Sequence, residues 1–101
     1  MKENYRLIDE IFHSRIRLAI VSVLISVEKI DFTSLRDRVG TTDGNMNSHL
    51  KKLEDAGYVF CEKTFINRKP VTYYNLTDEG KNGFKKYIEI LETFIKKDVN
   101  K

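Results

Sequence analysis

The sequence predicts a small α+β domain that is mostly helical and has a β-hairpin before its last helix. Two observations indicate this fold class. Apolar residues recur at helical spacing along most of the chain, as they do at Met46, Leu50 and Leu53. Between residues 58 and 76, two runs rich in β-forming residues flank a short polar turn. With 101 residues, the chain can bury one hydrophobic core, so we expect a single domain over residues 1–101.

The composition excludes several classes of protein. Hydrophobic residues make up 41% and charged residues 33% of the chain, as in an ordinary globular domain. The single cysteine, Cys61, excludes an internal disulfide framework and a multi-cysteine metal site. No run approaches the roughly 20 apolar residues of a membrane span, and the charged N-terminus does not resemble a secretory signal. We therefore expect a cytoplasmic protein with no membrane partner and no cofactor.

The net charge is only mildly basic. A value of +3 permits a nucleic-acid partner but does not require one. Between residues 44 and 69, five basic residues stand against three acidic ones, so most of the excess lies in that segment.

The first third of the chain predicts two helices. Helical spacing separates Tyr5, Ile8, Ile11 and Phe12, which predicts a short amphipathic helix within residues 1–13. Ser14 is a good N-cap for the run that follows, residues 15–26, which is apolar on nearly all sides and predicts a central helix. The segment Ile30-Asp31-Phe32 is expected to form a short extended link that could add one strand to a small sheet.

A helix-turn-helix pattern occupies residues 33–57. Thr33 or Ser34 is expected to cap its first helix, and Thr42 or Asp43 its second. On the second helix, the positions opposite the apolar stripe are Gly44, Ser48, Lys51 and Asp55, with Asn45 and Lys52 on one flank and Asn47 towards the other. The first two exposed turns therefore carry small, polar and basic residues, and the acidic ones stand in the last turn. A face of this kind suits a helix that enters a DNA major groove by its N-terminal end.

The predicted hairpin over residues 58–76 has a basic tip. Its strands at 58–65 and 71–76 flank a turn at 66–70. Arg68 and Lys69 in this turn could contact a phosphate backbone or a narrow minor groove. The alternative is that the turn is charged only because it faces water.

The last predicted helix covers residues 77–97, with Thr77 as its cap. Its apolar stripe is larger than one small domain can easily bury, which indicates a homodimer shared with the first helix. The alternative is that the helix folds back onto its own domain. The expected dimer interface consists of Tyr5, Ile8, Phe12, Phe84, Tyr87, Ile88, Leu91, Phe94 and Ile95.

Four stretches, in this order, resemble those of a known family. The family's opening core helix is similar to F-H-S-R-I-R-L-A-I-V-S-V-L, and the first element of its helix-turn-helix to D-F-T-S-L-R-D-R-V-G. Its recognition helix resembles G-N-M-N-S-H-L-K-K-L-E-D-A-G-Y-V, and its returning strand with the start of the final helix resembles R-K-P-V-T-Y-Y-N-L-T-D-E-G. The chain is thus similar to winged helix-turn-helix transcriptional regulators, in the compact MarR-like and ArsR-like group of bacteria and archaea.

The resemblance implies a winged helix-turn-helix with a two- or three-stranded antiparallel wing and with terminal dimerisation helices at residues 1–13 and 77–97. It also implies a homodimer that binds an operator in double-stranded DNA, usually as a repressor. The implied DNA-facing positions are Gly44, Asn45, Asn47, Ser48, Lys51 and Lys52 in the recognition helix, with Arg68 and Lys69 in the wing. The paired cysteines and histidines with which many ArsR-like proteins sense metal are absent, so metal control is not expected.

The chemistry of these residues suggests their roles. Lys51 and Lys52 suit a phosphate or a guanine edge. Asn45 or Asn47 could pair with adenine through two hydrogen bonds. Three hydroxyl residues near helix N-termini are candidate phosphate clamps or simple caps: Thr33, Ser34 and Thr42.

Other functions are weaker alternatives. An enzyme is not expected, because His13 and His49 form no recognisable nucleophile–base or metal pattern. A winged-helix protein–protein adaptor is the main alternative, since one fold hosts both roles, although the polar and basic helix face favours DNA. A small-molecule effector could also bind in a pocket lined by Tyr5, Phe12 and Phe84, although such aromatic stripes usually belong to the core.

Overall fold

The computed structural model describes residues 4–99, with the side chains of residues 4–96. Within this part of the chain, four α-helices and three β-strands follow two short 3-10 turns, Tyr5–Leu7 and Glu10–Phe12. The elements are α1 (Arg15–Leu24), β1 (Ile30–Asp31), α2 (Phe32–Val39), α3 (Asp43–Asp55), β2 (Val59–Ile66), β3 (Lys69–Leu76) and α4 (Asp78–Val99). A helix-turn-helix followed by a β-hairpin is a winged helix, which confirms the predicted α+β fold class.

The three strands form one antiparallel sheet in the order β1-β3-β2. Ile30 of β1 lies opposite Tyr74 of β3, so the extended link after α1 does add a third strand. The strands β2 and β3, with the turn between them, form the wing. The turn contains only Asn67 and Arg68, whose φ angles of 51° and 66° are left-handed, as a two-residue hairpin requires. The wing turn is therefore shorter than the predicted 66–70, and Lys69 already belongs to β3.

Side-chain caps start each helix of the helix-turn-helix. The hydroxyl of Thr42 accepts the N–H of Asn45 at 3.2 Å and so caps α3, as predicted. The cap of α2 differs from the prediction, because Asp31 rather than Thr33 or Ser34 occupies that position. Its carboxylate accepts the N–H of Ser34 at 3.0 Å.

One hydrophobic core joins all these elements. The side chains of Met46, Leu50 and Leu53 are fully buried, so one stripe of α3 packs inward as its spacing predicts. Their neighbours in the core include Ile20, Val21 and Leu24 of α1, Leu35 of α2, and Val59, Tyr74 and Leu76 of the sheet. Because the buried stripe of α3 packs in this core, the opposite face of that helix has a fixed orientation.

The N-terminal segment is not the amphipathic helix that was predicted. Asn4 and Asp9 cap two separate 3-10 turns, and Ile8 between them is extended, with φ −74° and ψ 120°. Capping by these two short polar side chains competes with a continuous helix. Residues 1–3 and 100–101 of the predicted domain lie outside the described residues.

Phe12 and the start of α4 pack within the same domain. Phe12 is only 1% exposed and lies against Tyr58, Phe84 and Tyr87, with ring centroids 4.9 to 5.6 Å apart. The prediction that Phe12 lies in a dimer interface is therefore corrected, because its own core covers it. Farther along α4, Ile88 and Ile95 remain 42% and 61% exposed. In the described part of the chain, no helix is both long and apolar enough to cross a membrane.

Candidate nucleic-acid interface

The polar side of α3 is exposed to solvent. Its six predicted contact residues are all exposed: Gly44, Asn45, Asn47, Ser48, Lys51 and Lys52. We call this set the recognition face. It lies opposite the buried stripe, because the two sets are offset by about half a helical turn.

Few contacts within the protein occupy the recognition face. The amide of Asn45 donates to the hydroxyl of Thr41 at 3.0 Å, and Lys51 lies 3.6 Å from Asp55 in an exposed pair. An exposed ion pair of this kind is worth little and is easily exchanged for a phosphate. Among the described residues, Asn47, Ser48 and Lys52 make no side-chain hydrogen bond or ion pair, so their polar groups are available to a partner.

Arg36 ties the two helices of the helix-turn-helix together. Its guanidinium donates to the carboxylate of Asp43 at 2.7 Å and also lies 3.1 Å from that of Asp37. The hydrogen bonds that Arg36 donates to Asp43 and Asp37 both raise the pKa of Arg36. This bridge fixes the first turn of α3 against α2, and sequence reasoning missed it because it spans the turn between two helices.

His49 faces α1 rather than the recognition face. Its Nδ1 lies 3.1 Å from a guanidinium nitrogen of Arg17, whose Nε donates to the carbonyl of Ile11 at 2.6 Å. Burial lowers the pKa of His49, and the positive charges of Arg17 and Lys52 lower it further. A neutral imidazole that accepts from Arg17 is thus a half-buried packing residue, as its position in the sequence indicates.

Alternation along the wing strands separates two faces. The near face continues the core side of the sheet. It comprises Val59, Cys61, Lys63 and Phe65 of β2, which lie opposite Leu76, Tyr74, Thr72 and Pro70 of β3, respectively. The far face comprises Phe60, Glu62, Thr64 and Ile66, with Lys69, Val71, Tyr73 and Asn75 opposite them. Lys69 therefore lies on the side of the wing that faces away from the core, whereas Arg68 lies at the tip. Lys63, which sequence reasoning did not single out, lies on the near face.

A cleft separates α3 from the wing. It has a volume of about 530 Å³, and its polar lining includes Thr33 of α2, Asn47 of α3, and Lys63 and Thr72 of the wing. Of the three predicted hydroxyl clamps, Thr33 lines this cleft and Ser34 is exposed in the same turn. The hydroxyl of Thr42 accepts its capping bond and keeps its own proton to donate.

The three aromatic residues predicted for an effector pocket do not share one cavity. Phe12 and Phe84 are in contact, with ring centroids 5.6 Å apart. Tyr5 lines a separate surface depression with Arg6 and His13. Within the described residues, these aromatic side chains therefore fill the core or face solvent.

The sequence of the chain is similar to those of known proteins. Residues 16–95 match the sequence model of a family described as a winged helix DNA-binding domain. An uncharacterized protein of Methanocaldococcus jannaschii is 39% identical over 84 residues, which cover 82% of this chain and 91% of that relative.

Two solved structures extend the comparison. A transcriptional regulator homologue from Pyrococcus horikoshii OT3 superposes with a TM-score of 0.85 at 29% identity, over 95% of this chain and 96% of that one. A MarR-family regulator from Enterococcus faecalis V583 superposes with a TM-score of 0.76 at 22% identity, over 95% and 89% of the two chains, and so shares the fold. The chain belongs to the winged-helix DNA-binding domain family, and its fold is that of transcriptional regulators rather than of enzymes.

Proposed function

We propose that this protein is a sequence-specific transcriptional repressor that binds a pseudo-palindromic operator as a homodimer. The observation that supports this proposal best is the recognition face of α3. It is exposed, polar and basic, while the opposite stripe fixes the helix in the core. A protein that binds genomic DNA works where that DNA is held, and we propose the cytoplasm as that compartment.

The N-terminal half of α3 is proposed to enter the major groove. Asn47 is the candidate for adenine, because its amide is free, whereas that of Asn45 already donates to Thr41. Lys52 is proposed to contact a phosphate or a guanine edge. On the same face, Ser48 and Lys51 are proposed to contact the DNA, and Gly44 lets the backbone approach it closely. Flanking phosphates are proposed to be bound by Thr33, Ser34 and Arg68. Lys69 is left outside this set because it lies on the far face of the wing.

The homodimer is proposed to use the distal part of α4. Ile88 and Ile95 are exposed there, and Leu91 and Phe94 are half-buried beside them. The N-terminal segment, with Tyr5 and Ile8, is proposed to complete the interface, while Phe84 and Tyr87 support it from the core. A symmetric dimer presents two copies of α3, so its operator is expected to contain two related half-sites.

The first test is a titration of the protein onto a duplex from upstream of its own gene, beside a scrambled duplex, at about 150 mM salt. We expect the operator to bind roughly 10³-fold or more tightly than the scrambled duplex. Equal, weak and strongly salt-dependent binding to both would contradict sequence specificity. Binding to neither would replace the proposal with the protein–protein adaptor.

Ser48→Glu tests the recognition face directly. A carboxylate there faces the phosphates and base edges of the groove, so we expect specific binding to fall by on the order of 10²-fold or more while the fold is retained. Ser22→Glu is the matched control, since Ser22 is also exposed on a helix but belongs to α1. Unchanged operator affinity in a folded Ser48→Glu protein would refute the assigned face.

A further inference from the structure

We propose that the near face of the wing is a second DNA-backbone contact, in which Lys63 and Thr72 bind a phosphate and Phe65 packs against the adjoining deoxyribose. This inference rests on the proposed function, because it takes DNA as the ligand. It assigns the wing contact to residues that lie on the same side of the sheet as α3.

The register of the wing determines which side chains can reach the DNA. Lys63 lies opposite Thr72, and Phe65 lies opposite Pro70. The same face continues into the core through Tyr74, which is 7% exposed and packs in the core with α3. Side chains of this face therefore project toward the helix that is proposed to occupy the major groove.

The far face of the wing carries the acidic Glu62 as well as the basic Lys69, whereas Lys63 is the charged residue of the near face. On the far face, Glu62 lies 3.9 Å from Lys29, which also stacks over the ring of Tyr73 at 4.6 Å. Among the described residues, Lys63 has no ion pair, so its ammonium is available on the near face. A phosphate is the ligand that such an unpaired cation beside hydroxyl donors suits.

The cleft beside Lys63 offers hydrogen-bond donors for a phosphodiester. Thr72 and Thr33, whose hydroxyls can donate, line it together with Lys63. Asp31 is the acid among the described residues that line this cleft, and its carboxylate accepts the N–H of Ser34 at the start of α2. With α3 in the major groove, the DNA strand that borders the groove passes beside α3, and the wing lies on the same side of that helix.

Phe65 supplies an apolar contact next to this charge. Its side chain is 74% exposed, beyond what a core residue of the wing would leave in water. The sugar faces of a DNA strand offer C–H groups between successive phosphates, and apolar side chains of DNA-binding proteins pack on them or wedge into the minor groove. Phe65 and Lys63 lie two residues apart on one strand face, which places an apolar and a cationic group side by side.

Two matched pairs of variants test the proposal. Lys63→Gln and Lys69→Gln remove the same charge from opposite faces of the wing. Phe65→Ser and Ile66→Ser remove exposed apolar side chains from opposite faces. All four positions are exposed, so each variant is expected to retain the fold, which an unfolding curve verifies.

The measurement is the dependence of the binding constant on salt, for the operator duplex and for a scrambled duplex. Each phosphate contact contributes about 0.9 to the magnitude of the negative slope of log Kobs against log salt, so a dimer that loses one contact from each copy is expected to lose about 1.8. We expect that loss for Lys63→Gln on both duplexes and no change for Lys69→Gln. Lys63→Arg is expected to restore the slope, because it restores the charge.

Phe65→Ser is expected to weaken binding on the order of fivefold with an unchanged slope, since its contact is apolar, while Ile66→Ser binds as the unmodified protein does. Equal slopes for Lys63→Gln and Lys69→Gln, or equal affinities for the two serine variants, would overturn the inference while leaving the proposed function intact. Failure of the unmodified protein to bind either duplex would instead overturn the proposed function itself.

Discussion

His49 makes the stability of this fold depend on pH. In the unfolded chain its imidazole has a pKa near 6.5, and in the folded chain burial, Arg17 and Lys52 lower the pKa. Between those two pKa values the unfolded state binds more protons. The contribution of His49 to folding stability is therefore complete above pH 6.5 and is lost as the pH falls below that value. We expect the midpoint of chemical unfolding to decrease on acidification from pH 7 to pH 5.

Substitution separates this effect from general acid denaturation. His49→Gln removes the titrating group and is expected to flatten the pH dependence between pH 7 and pH 5. His13→Gln is the control, because His13 is exposed and has no described side-chain partner. If the unfolding midpoint of His49→Gln follows pH as steeply as that of His13→Gln, the pH dependence has another source.

Tyr58 links the end of the recognition helix to the N-terminal segment. Its hydroxyl donates to the carboxylate of Asp9 at 2.5 Å, and its ring stacks on Phe12. The hydrogen bond to Asp9, with burial and the charge of Asp9, raises the pKa of Tyr58 to about 12. Because the pKa is higher in the folded chain than in the unfolded one, protonated Tyr58 stabilises the fold. This contribution to stability is present below pH 10 and is lost as the pH rises toward 12.

Tyr58→Phe is expected to cost about 0.5 to 1.5 kcal/mol of unfolding free energy, because it removes the hydrogen bond and retains the ring. Ultraviolet titration of the phenols is expected to lose a late-titrating group in this variant. Tyr5→Phe serves as the control, since Tyr5 is 70% exposed. A stability equal to that of Tyr5→Phe would show that the bond to Asp9 contributes nothing.

At the scale of elements, α4 packs against Tyr58, which follows α3, and against β3 at a point where its first turn contains glycine. A Cβ on Gly80 would lie 2.3 Å from the carbonyl oxygen of Tyr58 and 2.9 Å from Leu76. Backbone cannot yield as a flexible side chain does, so Gly80→Ala must push α4 away and is expected to cost about 1 to 3 kcal/mol. Chemical unfolding monitored by circular dichroism measures this cost.

Gly44→Ala is the matched control for this prediction. No atom lies within 4 Å of a Cβ on Gly44, and its backbone is helical. Alanine is therefore expected to leave stability unchanged or to raise it by up to about 1 kcal/mol. Equal stability of the two alanine variants would show that α4 adjusts freely and that the close approach at Gly80 has no structural role.

The elements that the sequence predicted correctly are those with a long hydrophobic period or an unambiguous cap. The three-residue and four-residue spacing of Met46, Leu50 and Leu53 determined α3, and Thr42 capped it as predicted. The cap of α2 was misassigned because Asp31 and two hydroxyl residues follow one another closely, and local sequence does not distinguish them. The N-terminal turns were missed because four apolar residues at helical spacing are too few to outweigh two polar caps.

The candidate site was predicted less completely in the wing than in the helix. Face assignment on a helix needs only the spacing of side chains, whereas on a hairpin it needs the turn length as well. The two-residue turn at Asn67 and Arg68 pairs Ile66 with Lys69 and places Lys63 opposite Thr72. A longer turn would have changed these partners, so the sequence alone did not favour Lys63 over Lys69.

At the scale of the whole molecule, α4 extends well beyond the domain that it caps. Its 22 residues span about 33 Å, and the described molecule measures 60 × 24 × 21 Å along its principal axes. Ile88 is 42% and Ile95 61% exposed along this helix, and Ile25 of α1 shares a surface depression with Ile88. These exposed apolar side chains are the reason for which the homodimer is proposed to form along α4.

The double variant Ile88→Lys with Ile95→Lys tests the proposed dimer. Both side chains are exposed in the monomer, so we expect the fold to persist while the apolar contact between copies is lost. Light scattering after size-exclusion chromatography is expected to give about twice the 11.9 kDa of one chain for the unmodified protein and 11.9 kDa for the variant. Asn82→Lys, which adds a charge to α4 at an exposed polar position, is expected to retain the dimer mass.

The same variant separates dimerisation from DNA recognition. In the dimer, binding of the first copy of α3 brings the second copy to the neighbouring half-site at high effective concentration, so the two half-sites bind together. The monomeric variant retains the recognition face and is expected to bind one half-site as the unmodified domain does, but to lose the additional affinity for the full operator. If the variant keeps the dimer mass, α4 is not the interface; if it is monomeric yet binds the full operator with unreduced affinity, one copy of the chain is sufficient and a pseudo-palindromic operator is not required.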